Sequence, residues 1–292
     1  DDTLAASGGG NDIISGGAGD DTFTMAGTLT AADTITGGDG TDTLTATLAA
    51  SYTSNLSGVE RVELTLNDAT VTPVVVNLAA SSDVDRITLT GTLDDDAGTV
   101  SGIASGATVR MADAKLIATL DTVAGATLNL DAYANSDEQV TITDAVTVNV
   151  TGSLAGTDTA VVNIVLDTAD TTALNVTGSS TAGDTLGTGN ITGSNVLASV
   201  SAASSVTGST VTVGTIADAD ALTSITLTAN QANATIGQIG TNATANNAEL
   251  LSNVTVTSAG TGVTATMGAI FADSTVDSAS DLAMTVTATS GS

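Results

Sequence analysis

The chain has 292 residues and a formal net charge of −28, from 32 acidic and four basic residues, with no His, Cys or Trp. Four cations cannot hold a nucleic-acid backbone against that charge, and the missing residue types remove the Ser-His-Asp triad, Cys-His nucleophiles, the usual zinc sites, haem and iron–sulfur ligation. No run approaches ~18 apolar residues, so no membrane span is expected.

Internal repeats open the chain. Residues 16–24 read GGAGDDTFT and residues 37–45 read GGDGTDTLT, both of the form G-G-x-G-x-D-x-U-x with U a large apolar residue. Residues 7–15, SGGGNDIIS, fit with Ser7 in place of the first glycine. DDTLA at 1–5 and DTIT at 33–36 are tails of further copies, and Met25 to Ala32 interrupts the array. Asp12 to Asp21 is nine residues, as is Asp33 to Asp42, whereas Asp2 to Asp12 is ten. The chain starts inside a repeat and carries no Sec-type leader over residues 1–15, so we expect a segment of a longer protein.

From about residue 46 the glycine repeats give way to short alternating segments. Val62, Leu64 and Leu66 alternate with Arg61, Glu63 and Thr65. Ile87/Leu89, Val109/Met111, Leu128/Leu130, Val140/Ile142 and Val146/Val148/Val150 follow the same period. So do Leu174/Val176, Val211/Val213, Ile225/Leu227, Val254/Val256 and Met284/Val286. Period two with Gly, Asn, Asp and Ser punctuation reads as strands. Thr, abundant along the whole chain, fills many of the outward positions and is itself a good strand former. Asn-Gly is absent and the one Asp-Gly, Asp39-Gly40, lies in a repeat, so tight hairpins are disfavoured. Ile216 to Leu222 and Ala243 to Leu251 are weak helix candidates, since neither carries a sustained apolar face.

The predicted fold is therefore all-β. An N-terminal β-roll over 1–45 leads into an elongated β-solenoid or β-sandwich-like region over 46–292, with a soft break near 178–195.

The repeats have a chemical reading. Glycines at positions one, two and four take positive φ and turn the chain tightly. Such a turn aims carbonyls inward, and the Asp at position six adds a carboxylate. Two neighbouring turns supply about six oxygens, which suits Ca²⁺. Leu4, Ile14, Phe23, Ile35 and Leu44 fill the interior of coils too small to bury a core singly.

Residues 1–45 resemble the RTX repeats of proteins exported by type I secretion. GGDGTDTLTATL, then Leu56-Ser57-Gly58-Val59-Glu60 and the strand RVELTL, is similar to RTX-containing bacterial surface-layer proteins and large exported adhesins. The resemblance implies a calcium-loaded β-roll and several bound ions. By motif position it assigns as ligands the carboxylates of Asp12, Asp21 and Asp42. It adds carbonyls near Gly8, Gly10, Gly17, Gly19, Gly38 and Gly40, with Asp2 and Asp33 in the terminal or partial copies. It also implies an extracellular, cell-surface, non-catalytic role. The expected partners are further copies of the chain in a lattice and, as a second candidate, a cell-surface polysaccharide.

Three functions stay in play. The first is a calcium-stabilised surface-layer segment that self-assembles, and the second a monomeric stalk module of an adhesin. The third, an exported polysaccharide-acting enzyme, is disfavoured by four glutamates and four aromatics in all. Acidic groups outside the repeats (Asp94-Asp95-Asp96, Asp83/Asp85, Asp167/Asp170, Asp218/Asp220, and Asp131 with Asp137 and Glu138) are read as solvated loops or as further calcium sites that relieve the charge.

Overall fold

The computed structural model describes residues 1–6, 8–66, 74–91, 98–112, 117–132, 137–152, 159–166, 170–178, 182–192, 195–217, 219–240, 248, 250–271 and 283–289. The first strands are β1 (Thr3–Ala5), β2 (Ile13–Ala18), β3 (Thr22–Ala26), β4 (Thr34–Asp39), β5 (Thr43–Leu48), β6 (Tyr52–Thr53), β7 (Leu56–Ser57) and β8 (Arg61–Leu66). Among the described residues there is no helix and every strand pairing is parallel. The chain is a parallel β-solenoid, the first of the two architectures expected for its long second region. The scarcity of hairpin turns has this consequence: each strand pairs with one a full coil away.

One register column runs Leu4, Phe23, Leu44, Val62, Ile87, Val109, Leu130, Val150, Val176, Ala202, Leu227, Val256 and Val286. It is buried from Phe23 to Val256. The opposite face stacks Ile14, Ile35 and Leu56, and then Tyr52, Val76, Val100, Leu120 and Ile142. Farther on, Ile191, Ile216, Ile239 and Ile270 form a ladder of single bridges. Side chains of the two faces meet in one hydrophobic cluster. No coil has a core of its own, so each is stabilised by its neighbours. Coil length varies: along this column the step from Leu44 to Val62 is the shortest and that from Val256 to Val286 the longest. The buried column keeps its register through this variation.

Two expectations need correction. Ile216 is a bridge residue between Ile191 and Ile239, not the start of a helix: the four isoleucines pack at coil spacing, and burial in that column outweighs weak local propensity. Val148 and Val150 are buried but Val146 is only half-buried, and Ala145 takes the inward position. The strand Asp137–Gly152 rounds a corner at Asp144, φ 62°, which breaks the alternation there. Asp94–Asp96, Asp167, Asp218 and, within Ala243–Leu251, all but Ala248, Leu250 and Leu251 lie outside the described residues. Strand pairing runs across 178–195, with Val176 facing Ala202 and Leu186 facing Val211.

The outward face also stacks. Asn149 donates to Asn129 Oδ1 at 2.9 Å, Asn175 to Asn149 Oδ1 at 3.0 Å, and the Ser201 hydroxyl to Asn175 Oδ1 at 2.7 Å. Amides suit this position because each both donates and accepts along the axis.

Tyr52, 2% exposed, gives the fold a pH dependence. Burial pushes its hydroxyl from 10.0 up to about 12. The raised value means the folded state favours the protonated phenol. That contribution is complete below pH 10 and is lost as pH rises through 12, a change of about 3 kcal/mol. Urea midpoints at pH 9 and pH 12 should therefore fall farther for the wild type than for Tyr52→Phe. Equal losses in the two proteins would show that Tyr52 is not the group responsible.

Candidate metal centre

The repeats place their aspartates at the solenoid edges, one per half-coil. On one edge the Asp2 N–H donates to Asp21 Oδ1. The Asp21 N–H donates to Asp42 Oδ1 at 2.7 Å, and the Asp42 N–H to Glu60 Oε2 at 2.8 Å. Each carboxylate thus caps the main chain of the preceding coil. On the other edge the Asp12 N–H donates to Asp33 Oδ1 at 2.8 Å.

The remaining oxygens divide these residues. Asp33 Oδ2 accepts from the Thr30 N–H at 2.7 Å and the Thr30 hydroxyl at 3.2 Å, so both of its oxygens are engaged. The interruption from Met25 to Ala32 is thereby tied down, helped by the Thr28 hydroxyl on Ala6 O at 2.9 Å. Asp12 Oδ2, Asp21 Oδ2 and Asp42 Oδ2 are buried and accept no hydrogen bond. A buried ionised oxygen without a partner is costly. These three atoms belong to the three aspartates singled out from the repeat pattern.

The glycines show what the turn demands. Gly17, Gly19, Gly38 and Gly40 have φ of 103°, 114°, 125° and 138°, as expected for positions two and four. Position one differs: Gly16 and Gly37 are not in the positive-φ region. Glycine is required there for closeness. A Cβ on Gly16 would stand 2.3 Å from Asp21 Oδ2, and one on Gly37 1.7 Å from Gly58 O and 2.4 Å from Asp42 Oδ2. Over Gly37, then, a carbonyl oxygen and an unpartnered carboxylate oxygen approach the same point. Two acceptors facing each other repel unless a cation lies between.

The glycine turns stack on only one edge. Gly17 pairs with Gly38 in register, and the Gly19 N–H donates to Asp39 O at 2.7 Å. Gly8 and Gly10 are exposed, with open space where a side chain would project. Their coil edge is followed by the Thr28–Asp33 loop instead of another glycine turn. Among the described residues no three carboxylates come together at one point. An ion here would be held by one carboxylate per turn and by main-chain oxygens, a hard all-oxygen donor set that fits Ca²⁺.

Sequence reasoning missed two participants, Glu60 and Asp20, and left a third, Asp83, open. Glu60 continues the Asp2–Asp21–Asp42 ladder. It follows Asp42 by two nonapeptide lengths, with Glu in place of Asp, and that spacing was legible. Asp83, read with Asp85 as a solvated loop or a further calcium site, accepts the Gly58 N–H at 2.9 Å from a coil farther on. Asp20 joins an outer ladder, accepting from the Thr41 N–H at 2.8 Å while its own N–H donates to Asp1 Oδ1 at 2.8 Å.

Residues 1–24 and 29–48 match the family model of the RTX calcium-binding nonapeptide repeat in four copies. Repeats of this kind bind calcium ions at multiple sites, and the gap in the match falls within the interruption at Met25 to Ala32. No curated protein and no solved structure matches the chain.

Proposed function

We propose that this chain is part of an exported, calcium-stabilised structural protein of the bacterial cell surface, and that its repeats couple folding to external calcium. One observation carries the reading: Asp12, Asp21 and Asp42 each bury an oxygen that nothing in the protein satisfies. We assign these oxygens to calcium, together with carbonyls of the stacked turns around Gly17, Gly19, Gly38, Gly40 and Gly58. Glu60 closes the ladder at its far end. Asp2 heads it, Gly8 and Gly10 flank the Asp12 edge, and Asp33 serves as a cap on the interrupting loop.

In a calcium-poor cytosol the charge of −28 opposes compaction. Outside, calcium removes that opposition. Such a switch suits type I secretion, in which RTX proteins typically leave the cell unfolded. Beyond the repeats, a long parallel stack with polar Thr-rich faces suits a load-bearing layer built from many copies. The same elongated stack also favours a second reading, a monomeric adhesin stalk.

A calcium titration followed by circular dichroism and multi-angle light scattering in one sample separates the two. The lattice reading predicts folding at low calcium, then growth in mass as calcium and protein rise. A particle that folds with calcium and keeps monomer mass at high concentration is the stalk. A particle that folds equally without calcium defeats both.

A further inference from the structure

Three of the chain's four cations stand together on one face of the solenoid. Arg61 and Arg86 are direct register partners on adjacent strands, and Arg110 lies one strand farther, in register with Thr88. The row through the first two reads Thr43, Arg61, Arg86, Thr108, Asn129. Like charges directly opposite each other destabilise a sheet, and in a chain of net charge −28 carboxylate partners are plentiful. Yet among the described residues Arg110 alone of the three forms an ion pair, with Asp131 Oδ2 at 2.9 Å. Glu60, close by, is engaged with the Asp42 main chain. The three arginines line an open groove of about 610 Å³ together with Glu60, Asp85 and Asp131.

We propose that Arg61 and Arg86 form a clamp for a tetrahedral oxyanion, a sulfate or phosphate group. Adjacent parallel strands lie about 4.8 Å apart, so the two guanidinium forks reach one group from neighbouring strands. Each fork donates two parallel hydrogen bonds. A carboxylate, with two oxygens and one charge, satisfies one fork. A tetrahedral oxyanion, with more oxygens and up to two charges, satisfies both and cancels their repulsion. Arg110 stays with Asp131 and adds its field from the next coil. The groove is open to solvent, so the group can arrive as a free ion or as a substituent on a glycan.

The test uses the calcium-loaded chain in chloride buffer of constant ionic strength, titrated by calorimetry with sodium sulfate. Dextran sulfate and uncharged dextran form the second arm. Sulfate should bind saturably at one site per chain, and dextran should not bind. Tighter binding of dextran sulfate than of sulfate identifies a glycan-borne group as the better ligand, whereas equal affinity per sulfate identifies the free ion.

Arg61→Gln/Arg86→Gln should weaken sulfate binding at least tenfold with an unchanged circular dichroism spectrum. Arg86→Thr, which copies the neighbours Thr43 and Thr108, should fold at least as stably as the wild type and also lose the site. Asp85→Asn should bind sulfate two- to fivefold more tightly. Absence of saturable sulfate binding, or affinity unchanged in the double variant, overturns the clamp. A double variant that keeps its sulfate affinity but drops from an assembled mass to a monomer would assign the face to contacts between copies instead.

Discussion

Stripping calcium with EDTA should unfold the N-terminal coils, and Asp42→Asn should reverse part of that loss. At a calcium concentration ten times the dissociation constant each site adds about 1.4 kcal/mol. Three sites give about 4 kcal/mol, against a margin of about 5–15 kcal/mol for a whole domain. Removal also leaves Asp21 and Asp42, both buried, stacked in consecutive coils. At about 4.8 Å and an effective dielectric of 20 such a pair repels by about 3 kcal/mol. Hydrogen exchange of the Asp21 and Asp42 amides, which donate within this ladder, should accelerate by a hundredfold or more in EDTA. Amides near Asn149, far along the stack, should change less. Asn at position 42 keeps an acceptor for the Asp21 N–H and loses the charge. The variant should therefore be less stable than the wild type in calcium and more stable than it in EDTA. A variant less stable by the same amount in both conditions would show that Asp42 acts only through its hydrogen bond and has no part in ion binding.

Gly37→Ala should cost about 3 kcal/mol or more, while Gly9→Ala should stay within about 0.5 kcal/mol of the wild type. Neither glycine adopts positive φ, so conformational strain is the same small term in both. The difference is space. A methyl group on Gly37 would meet Gly58 O at 1.7 Å and Asp42 Oδ2 at 2.4 Å, whereas nothing lies within 4 Å of one on Gly9. The Gly58 oxygen is main chain and cannot rotate away. Relief requires the two coils to separate, which opens the cation position as well. Gly37→Ala should consequently weaken calcium binding along with stability. A denaturant curve and a calcium titration on each variant measure both effects. If the two alanine variants behave alike, the turns are not packed as closely as described.

Local reading succeeds where burial and backbone agree. The apolar position of the repeat puts Phe23, Ile35 and Leu44 inside, and all three are fully buried. Position in the nine-residue motif, as the resemblance implies it, marks Asp12, Asp21 and Asp42, and each of them buries an oxygen without a hydrogen-bond partner. Asp33 shares that spacing but is consumed by Thr30, a partner supplied by the interruption. Spacing could not reveal this, because it carries no information about the loop that replaces a missing turn. Glu60 escapes for a different reason. Viewed as one of four glutamates it suggests little, although it follows Asp42 by two nonapeptide lengths, and stacking one coil beyond Asp42 gives it its place in the ladder.

The order of residues along the chain determined the strand period, the inward and outward sets, the glycine corners and the all-oxygen chemistry of the repeats. Each of these depends on neighbours within one nonapeptide, where side-chain alternation and backbone freedom act directly. Folding in three dimensions decided which coil lies on which, and so brought Arg61 beside Arg86 and Gly58 over Gly37. Those meetings join residues about a full coil apart in coils of unequal length. Their register is set by the fit of the whole buried column, a property that no single segment possesses.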